Sequence, residues 1–180
     1  LPSQSMENWA TEKEFLDGWA RHYQTGEPIP AELVQKLVDA SNFNCGYLCL
    51  RQVAFGLQDM AFHTITEPFN GDPCEVERTS TASTNFLPNV EGTGRCTTFN
   101  HIFSGGYAAG YYSYKWAEQL DADAFAFFKQ NGIFDRATAE SFRKNVLSRG
   151  GTEHPMTLYK RFSGQEPTID AMLDRHGIKR

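Results

Sequence analysis

The chain has 180 residues, of which 40% are hydrophobic, and a formal net charge of −5. This length and composition suit a single globular domain with a sizeable core, so disorder is not expected. The acidic balance argues against a nucleic-acid partner, because no basic stretch is long enough to follow a phosphate backbone. No apolar run is long enough to span a bilayer, so we predict no membrane contact.

The four cysteines form no CxxC pair, no zinc-ribbon pattern and no dense disulfide framework. Free thiols are therefore expected, which favours a reducing compartment and a cytoplasmic location. The chain begins at Leu1 without a methionine or a basic-then-apolar signal segment. We expect it to be a piece of a longer protein.

Helical spacing and cap residues recur along the chain, whereas strand-like alternation is nearly absent, so we predict an all-α fold. The predicted helices cover residues 2–23, 30–40, 43–64, 107–131, 135–147, 155–162 and 169–176. The helix at 43–64 is expected to be largely buried. Arg51 and Asp59 are then either paired structural charges, which is the favoured interpretation, or part of a site. Residues 66–98 are rich in Gly, Ser, Thr, Asn and Pro, which predicts a long connection with short helical pieces at most.

The most informative segment is residues 99–116, FNHIFSGGYAAGYYSYKW. If the part after Gly106 is helical, Tyr107, Tyr111 and Tyr114 fall at i, i+4 and i+7 and share one face. Phenols with a pKa near ~10 stay protonated at neutral pH and can donate hydrogen bonds to a carbonyl oxygen that gains negative charge. The alternative is an aromatic stripe that fills the core, which is common for tyrosines at this spacing.

Three segments carry a resemblance to a known family: LPSQSMENW at 1–9, HIFSGGYAAGYYSYKW at 101–116, and LSRGGTEHPMTLYKRFSGQEPTIDAMLDRHGI at 147–178. RHYQTGEPIPAELVQKL at 21–37 and FNCGYLCLRQVAFGLQDMAFHT at 43–64 add to it. In these segments the chain resembles the zinc metallopeptidases that include thimet oligopeptidase, oligopeptidase A and bacterial peptidyl-dipeptidase. The likeness covers essentially all of the sequence, and the order of several independent motifs makes it specific.

The resemblance implies a zincin-like, helical catalytic domain with a zinc cofactor. Members of the family bind zinc through two histidines of an HExxH motif and a glutamate on a following helix. No HExxH occurs in this sequence, and the family's third ligand would match the residue just before Leu1. The resemblance therefore implies that residues 1–180 are a C-terminal fragment without metal ligands, inactive alone, in which no bound zinc is expected.

Carried over residue by residue, the resemblance gives two tyrosines a catalytic role. Tyr111 and Tyr114 would stabilise the oxyanion that forms when a zinc-activated water attacks the substrate. Tyr107 and His101 would position the peptide.

Three further residues are substrate-binding candidates. Gly105 and Gly106 would let the loop turn tightly and bring its backbone close to the peptide. Arg95 is a candidate for a substrate carboxylate, although pairing with an internal carboxylate is the favoured interpretation of a single arginine.

The predicted function is hydrolysis of short peptides with release of C-terminal dipeptides. The resemblance to peptidyl-dipeptidase rests on the spacing from His101 to Tyr107 and on the segment at 21–33. An endopeptidase like oligopeptidase A is an alternative, and a non-catalytic helical module that binds peptides is another. A cleft wall without its other half exposes apolar surface, so the fragment is also open to self-association.

Overall fold

The computed structural model describes residues 1–178 and confirms the all-α fold class. The α-helices in this range are α1 (Pro2–Glu7), α2 (Lys13–Leu16), α3 (Ala31–Ser41), α4 (Cys45–His63), α5 (Pro73–Ser80), α6 (Asn100–Phe103), α7 (Ser113–Asn131), α8 (Arg136–Phe142), α9 (Pro155–Ser163) and α10 (Asp170–Arg175). Short 3-10 helices lie at Asn8–Thr11 and Ala82–Thr84, and a π-helical turn lies at Arg143–Leu147. Across the described residues, no helix combines the length and apolar character needed to cross a membrane.

The chain divides into two compact units. Unit 1 contains residues 1–43 and the described residues from 117 onward, and unit 2 contains residues 44–116. The tyrosine segment that the sequence singled out therefore lies in unit 2.

Unit 1 is built around an aromatic core. Its buried members are Ala124, Phe125, Phe128, Ile133, Phe142, Tyr159 and Phe162. The Trp9 ring packs edge-on against Phe125 and Phe128, with centroids 4.7 and 5.1 Å apart. The indole Nε1 of Trp9 donates a hydrogen bond to the carbonyl oxygen of Ile133 at 3.1 Å, which ties the start of the chain to this core.

Two buried carboxylates of α7 hold other parts of unit 1 in place. Asp121 accepts a hydrogen bond from Asn8 Nδ2 at 2.5 Å and pairs with the Arg175 guanidinium at 2.7 Å. Asp123 accepts hydrogen bonds from the Tyr159 hydroxyl and, at 3.0 Å, from the backbone N–H of Thr168. Both carboxylates are satisfied by donors, as buried charges require.

Unit 2 consists of α4 and the long segment that follows it. The connection after α4 contains α5 and a 3-10 turn, which confirms the predicted loop with short helical pieces. Asp72 caps α5 by accepting the Cys74 N–H at 2.9 Å. The Glu77 carboxylate then accepts the backbone N–H groups of Arg95 and Cys96 at 2.8 and 2.7 Å, and so fastens the later part of the loop to α5.

Two of the helices predicted before residue 66 differ from the structure. The helix expected at 2–23 is interrupted after Glu7 and ends at Leu16, because residues 17–19 form a turn and Arg21 bridges Pro28. Helix α4 has the predicted extent but is not largely buried. Its buried residues are Gly56, Gln58 and Asp59, whereas apolar residues such as Leu50 and Val53 remain 39–40% exposed.

The later helix ends agree with their cap residues. Helix α7 ends at Asn131 and is followed by Gly132 at φ +107°, a conformation that suits glycine. Asp135 caps α8 by accepting the Thr138 N–H at 2.7 Å. The residues that cap helices in the sequence therefore predicted these boundaries correctly.

Candidate functional site

The tyrosine segment is a series of turns rather than the predicted helix. Residues 108–112 form turns, and α7 begins only at Ser113. Ala109 has φ +53°, in the left-handed region that alanine rarely adopts. The expectation of a helix from Tyr107 to Tyr111 is therefore wrong, because a left-handed residue interrupts it.

The rings nevertheless come together. Tyr107 stacks on Tyr114 with centroids 5.1 Å apart, and Tyr111 lies 5.0 Å from Tyr114. The imidazole of His101 lies 4.8 Å from the Tyr107 ring and 5.7 Å from each of the other two. We call these four side chains the tyrosine cluster. The structure thus places His101, Tyr107, Tyr111 and Tyr114 side by side, although a turn rather than a helix does so.

Gly105 and Gly106 form the reversal that brings Tyr107 back against His101. A Cβ on Gly105 would lie 2.8 Å from the carbonyl oxygen of His101, closer than real contacts allow. Gly106 has φ +78°, which favours glycine. Both glycines are therefore explained by the tight turn between α6 and the tyrosine segment.

The buried carboxylate of Asp59 holds the turn that carries Tyr111. Asp59 is fully buried, and its two oxygens accept the N–H groups of Ala109 and Tyr111 at 2.9 and 2.8 Å. His63 Nδ1 lies 2.8 Å from the same carboxylate. These contacts confirm that Asp59 is a paired structural charge, and they offset the cost of the left-handed Ala109.

The phenols of Tyr111 and Tyr114 bond to an amide and an imidazole rather than to a carboxylate. The Tyr111 hydroxyl donates to Gln52 Oε1 at 3.1 Å. The Tyr114 hydroxyl is hydrogen-bonded to His101 Nε2 at 2.8 Å, and the tautomer of His101 decides which atom donates. Burial and then the hydrogen bond with Tyr107 raise the pKa of Tyr114 to about 12, so this phenol keeps its proton at neutral pH.

The pKa of Tyr111 is also raised by burial, while the positive charges of Arg95 and Arg51 act in the opposite direction. Arg95 lies in the loop before α6, with its guanidinium carbon 4.1 Å from the Phe55 ring centroid. Its partner among the described residues is this ring and not the internal carboxylate that the sequence analysis favoured. Arg95 is thus brought near the cluster through Phe55, whose ring meets Tyr111 edge-on at 5.5 Å.

Sequence reasoning missed most of the support for the cluster on α4. Gln52, Phe55 and His63 were not among the candidate residues. The sequence does contain a spacing that indicates this support. Polar and aromatic residues recur every four positions, which places each near the next on one side of a helix: Tyr47, Arg51, Phe55, Asp59 and His63. Four of these five residues contact the loop or each other.

An apolar cavity of about 470 Å³ in unit 2 lies apart from the three tyrosines. Its lining includes Phe62, Phe69 and Phe103 together with His63. It shares Cys96 and Thr97 with the loop that carries Arg95. Since it offers few polar groups, its residues are suited to apolar contacts rather than to hydrogen-bond donation.

The cysteines and acidic residues do not form a metal site. Within residues 1–178, no group of three or more His, Cys, Asp or Glu side chains is arranged to hold a metal ion. Cys74 and Cys96 have their sulfurs 3.2 Å apart as free thiols. Burial and the contact with Cys74 raise the pKa of Cys96 to about 12, so its reactive thiolate form is scarce at neutral pH.

Comparison with known proteins agrees with the family that the sequence resembles. Oligopeptidase A of Escherichia coli strain K12 is 49% identical over 182 residues, which cover 99% of the chain and 26% of that protein. Dipeptidyl carboxypeptidase of the same strain is 38% identical over 180 residues, again 99% of the chain and 26% of the relative. Probable cytosolic oligopeptidase A of Arabidopsis thaliana is 40% identical over 183 residues.

The chain spans about a quarter of the length of these curated relatives. The model of "Peptidase family M3" matches residues 1–178. The match includes the tyrosine cluster, the glycine turn and the α4 residues that support them, and the chain therefore belongs to Peptidase family M3.

Proposed function

We propose that the chain forms the substrate-binding and oxyanion-stabilising wall of a zinc metallopeptidase that hydrolyses short peptides. The observation that carries this proposal is the tyrosine cluster, in which the His101 imidazole lies within 5.7 Å of three phenol rings and the Tyr114 ring lies within 5.1 Å of the other two. Membership of a peptidase family supports peptides as the substrates. A peptide is rich in carbonyl oxygens, and these are the acceptors that phenols and imidazoles recognise.

Peptidases of this family depend on zinc in general. The described residues of this chain do not fit that ion, because they contain no suitable group of three ligands. We propose that the metal ligands lie elsewhere in a longer protein, whose relatives are about four times the length of the matched region. This chain would then contribute the side chains of the tyrosine cluster, which bind the peptide and stabilise the oxyanion.

Tyr114 is the proposed principal donor to the oxygen of the scissile carbonyl. When His101 carries its proton on Nε2, it donates to the Tyr114 oxygen at 2.8 Å. The phenol hydrogen of Tyr114 can then turn from Tyr107 to the substrate. The raised pKa of Tyr114 keeps that hydrogen in place at neutral pH. A neutral donor stabilises the oxygen more as negative charge builds on it, which lowers the barrier to reaction.

Tyr111 is the proposed second donor, and Tyr107 orients the peptide. The Tyr111 hydroxyl donates to Gln52 in this structure, and a flip of the Gln52 amide would turn that side chain into the donor. The phenol hydrogen would then be available to the substrate. Tyr107 is 36% exposed and stacks on Tyr114, so it offers an open face and a hydroxyl to the backbone of the peptide.

The type of cleavage is the finer part of the proposal. The segments at 21–33 and 101–107 favoured dipeptide release, but the identity to Oligopeptidase A, 49%, exceeds the 38% to Dipeptidyl carboxypeptidase of the same organism. We therefore propose internal cleavage of short peptides as the primary activity, with release of C-terminal dipeptides as the second candidate. A cytoplasmic location remains our prediction, and the names of relatives include both a cytosolic and a chloroplastic or mitochondrial form.

The test is mass-spectrometric analysis of peptide products made by the full-length protein that carries this chain. Peptides with free and blocked ends are incubated with and without a chelator. Chelator-sensitive internal cuts would support an oligopeptidase, and C-terminal dipeptides would support the second candidate. If a folded, zinc-loaded protein cleaves none of them, the enzyme proposal is wrong and the non-catalytic peptide-binding module is favoured.

A further inference from the structure

Two arginines of unit 2 share one aromatic ring. The guanidinium carbons of Arg51 and Arg95 lie 5.4 and 4.1 Å from the centroid of Phe55. Arg51 comes from α4, whereas Arg95 comes from the loop before α6. Of the ion pairs formed by residues 1–178, none involves either of these guanidinium groups. Neither cation is therefore neutralised by an ion pair.

The surrounding charges do not neutralise this pair. Burial lowers the pKa of Arg95, and repulsion from Arg51 lowers it further. Glu77 is the carboxylate that acts in the opposite direction, but its Oε2 accepts the backbone N–H groups of Arg95 and Cys96. Among the described residues neither guanidinium donates a hydrogen bond to Glu77, so the donors of both remain available. A bound anion would relieve the repulsion and use those donors.

The arginines lie beside the proposed peptide-binding surface. Phe55 meets the Tyr111 ring edge-on at 5.5 Å. The positive charges of both arginines also act on the pKa of the Tyr111 phenol, which places them within electrostatic reach of its hydroxyl. A peptide whose carbonyl oxygen contacts Tyr111 would therefore bring its neighbouring groups to Arg51 and Arg95.

We propose that Arg51 and Arg95 form a carboxylate-binding subsite that makes the tyrosine cluster prefer peptides with a carboxylate next to the bound carbonyl. Guanidinium groups match carboxylate geometry with two parallel hydrogen bonds, which favours this anion over a simple point charge. The carboxylate is either the C-terminus of the peptide or an Asp or Glu side chain. The inference rests on the proposed function, since it needs a peptide on the cluster.

The test measures binding of four N-acetylated peptides by isothermal titration calorimetry. It uses the full-length protein that carries this chain, with a chelator present to prevent cleavage. The peptides share one sequence and carry a free or amidated C-terminus, each with Glu or Gln at one internal position. We expect a carboxylate to tighten binding about tenfold at low salt. The advantage should shrink as sodium chloride rises from about 0.05 to about 0.5 M, because salt screens exposed charges.

Variants assign the effect to the two arginines. Arg51→Gln and Arg95→Gln should each bring the affinity for carboxylate peptides down toward that of the doubly neutral peptide, whose own affinity should not change. Arg95→Lys should retain part of the preference, because it keeps the charge but loses the planar fork. Arg78→Gln is the matched control, since Arg78 is an exposed arginine of unit 2 that pairs with Glu75. Circular dichroism of each variant verifies the fold.

The outcomes separate this inference from the proposed function. If peptides with a free C-terminus bind more tightly than amidated ones, the subsite binds the terminal carboxylate. If peptides with Glu bind more tightly than those with Gln, it binds a side-chain carboxylate. If the neutral peptide binds, and Tyr114→Phe weakens it, but a carboxylate brings no advantage, the subsite is wrong while the peptide-binding surface stands. If no peptide binds the folded full-length protein, both proposals are overturned.

Discussion

Tyr159 of unit 1 and the tyrosine cluster of unit 2 use the same phenol group in opposite ways. Tyr159 is 3% exposed and donates to the Asp123 carboxylate, and both burial and that carboxylate raise its pKa. Tyr111 and Tyr114 bond instead to a neutral amide and an imidazole near the surface. A phenol that donates to a buried carboxylate stabilises the fold. A phenol bonded to an amide or an imidazole near the surface can exchange that hydrogen bond for one to a ligand.

The buried carboxylates differ in the same way. Asp123 binds a tyrosine hydroxyl directly, but Asp59 binds the backbone N–H groups of Ala109 and Tyr111. Unit 2 therefore fixes the position of its tyrosines through the main chain and leaves their hydroxyls unused by the carboxylate. Stability and ligand binding are separable in this arrangement, and the following changes test that separation.

Asp59→Ala has the largest expected effect on stability. It leaves His63 and the N–H groups of Ala109 and Tyr111 without their buried acceptor, so we expect a loss of about 3–5 kcal/mol in the free energy of unfolding. Chemical denaturation measures this loss. Glu91→Ala, at an exposed position of the same unit, should change the free energy by no more than about 0.5 kcal/mol. A loss below about 1 kcal/mol for Asp59→Ala would show that the turn does not depend on this carboxylate.

Tyr159→Phe tests whether the tyrosine that bonds to a buried carboxylate stabilises the fold without binding peptide. It removes the donor to Asp123 and should cost about 1.5–3 kcal/mol of stability, because hydrogen bonds to charged groups lie in that range. Tyr23→Phe is the control, since Tyr23 is 87% exposed. Peptide binding should not change in either variant once the protein is folded. Weaker peptide binding by folded Tyr159→Phe protein would contradict a purely structural role.

Gly105→Ala tests the turn that returns Tyr107 to His101. The new Cβ would meet the His101 carbonyl oxygen at 2.8 Å, so the backbone must shift. We expect a loss of about 1–3 kcal/mol in unfolding free energy, as for other overpacked sites, together with weaker peptide binding. Gly151→Ala is the control, because a Cβ there meets no atom within 4 Å. Equal effects at the two glycines would rule out the steric explanation.

The smallest expected effect is on the pH dependence of stability. The pKa of Tyr114 is raised in the folded state from its ordinary value of 10.0 to about 12. The folded protein therefore holds this proton more tightly, and the associated stability is full below pH 10 and declines as the pH rises toward 12. Thermal unfolding at several alkaline pH values should show a shallower decline for Tyr114→Phe than for the wild type. If the stability of the two proteins declines equally with pH, the pKa of Tyr114 is not raised in the folded state.

Local sequence signals predicted much of the fold. Asp135 and the Asn131–Gly132 pair located the boundary between α7 and α8 because caps act on backbone groups a few residues away. The exposure of α4 was not predictable from its composition. An apolar helix is usually buried, and only the structure shows that Leu50 and Val53 keep 39–40% of their surface.

The membership of the tyrosine cluster was predicted, but its geometry was not. Tyr111 bonds through its backbone to Asp59, 52 residues away in sequence, and no local pattern reports such a contact. The left-handed Ala109 is equally unexpected, because alanine favours helices. Helical spacing predicted that these three tyrosines lie together, and they do. The physical reason is different, because a turn held by the distant Asp59 carboxylate brings them together.

The most direct test of the central claim is the kinetics of Tyr114→Phe in the full-length protein, beside Tyr112→Phe. Tyr112 is the neighbouring, 53% exposed tyrosine, which serves as the matched control. We predict that Tyr114→Phe lowers kcat about 10²–10³-fold at nearly unchanged unfolding temperature, as expected for the loss of one oxyanion donor, and that Tyr112→Phe lowers it little. Equal kcat values for the two variants, or a kcat loss that merely follows lost stability, would contradict the account.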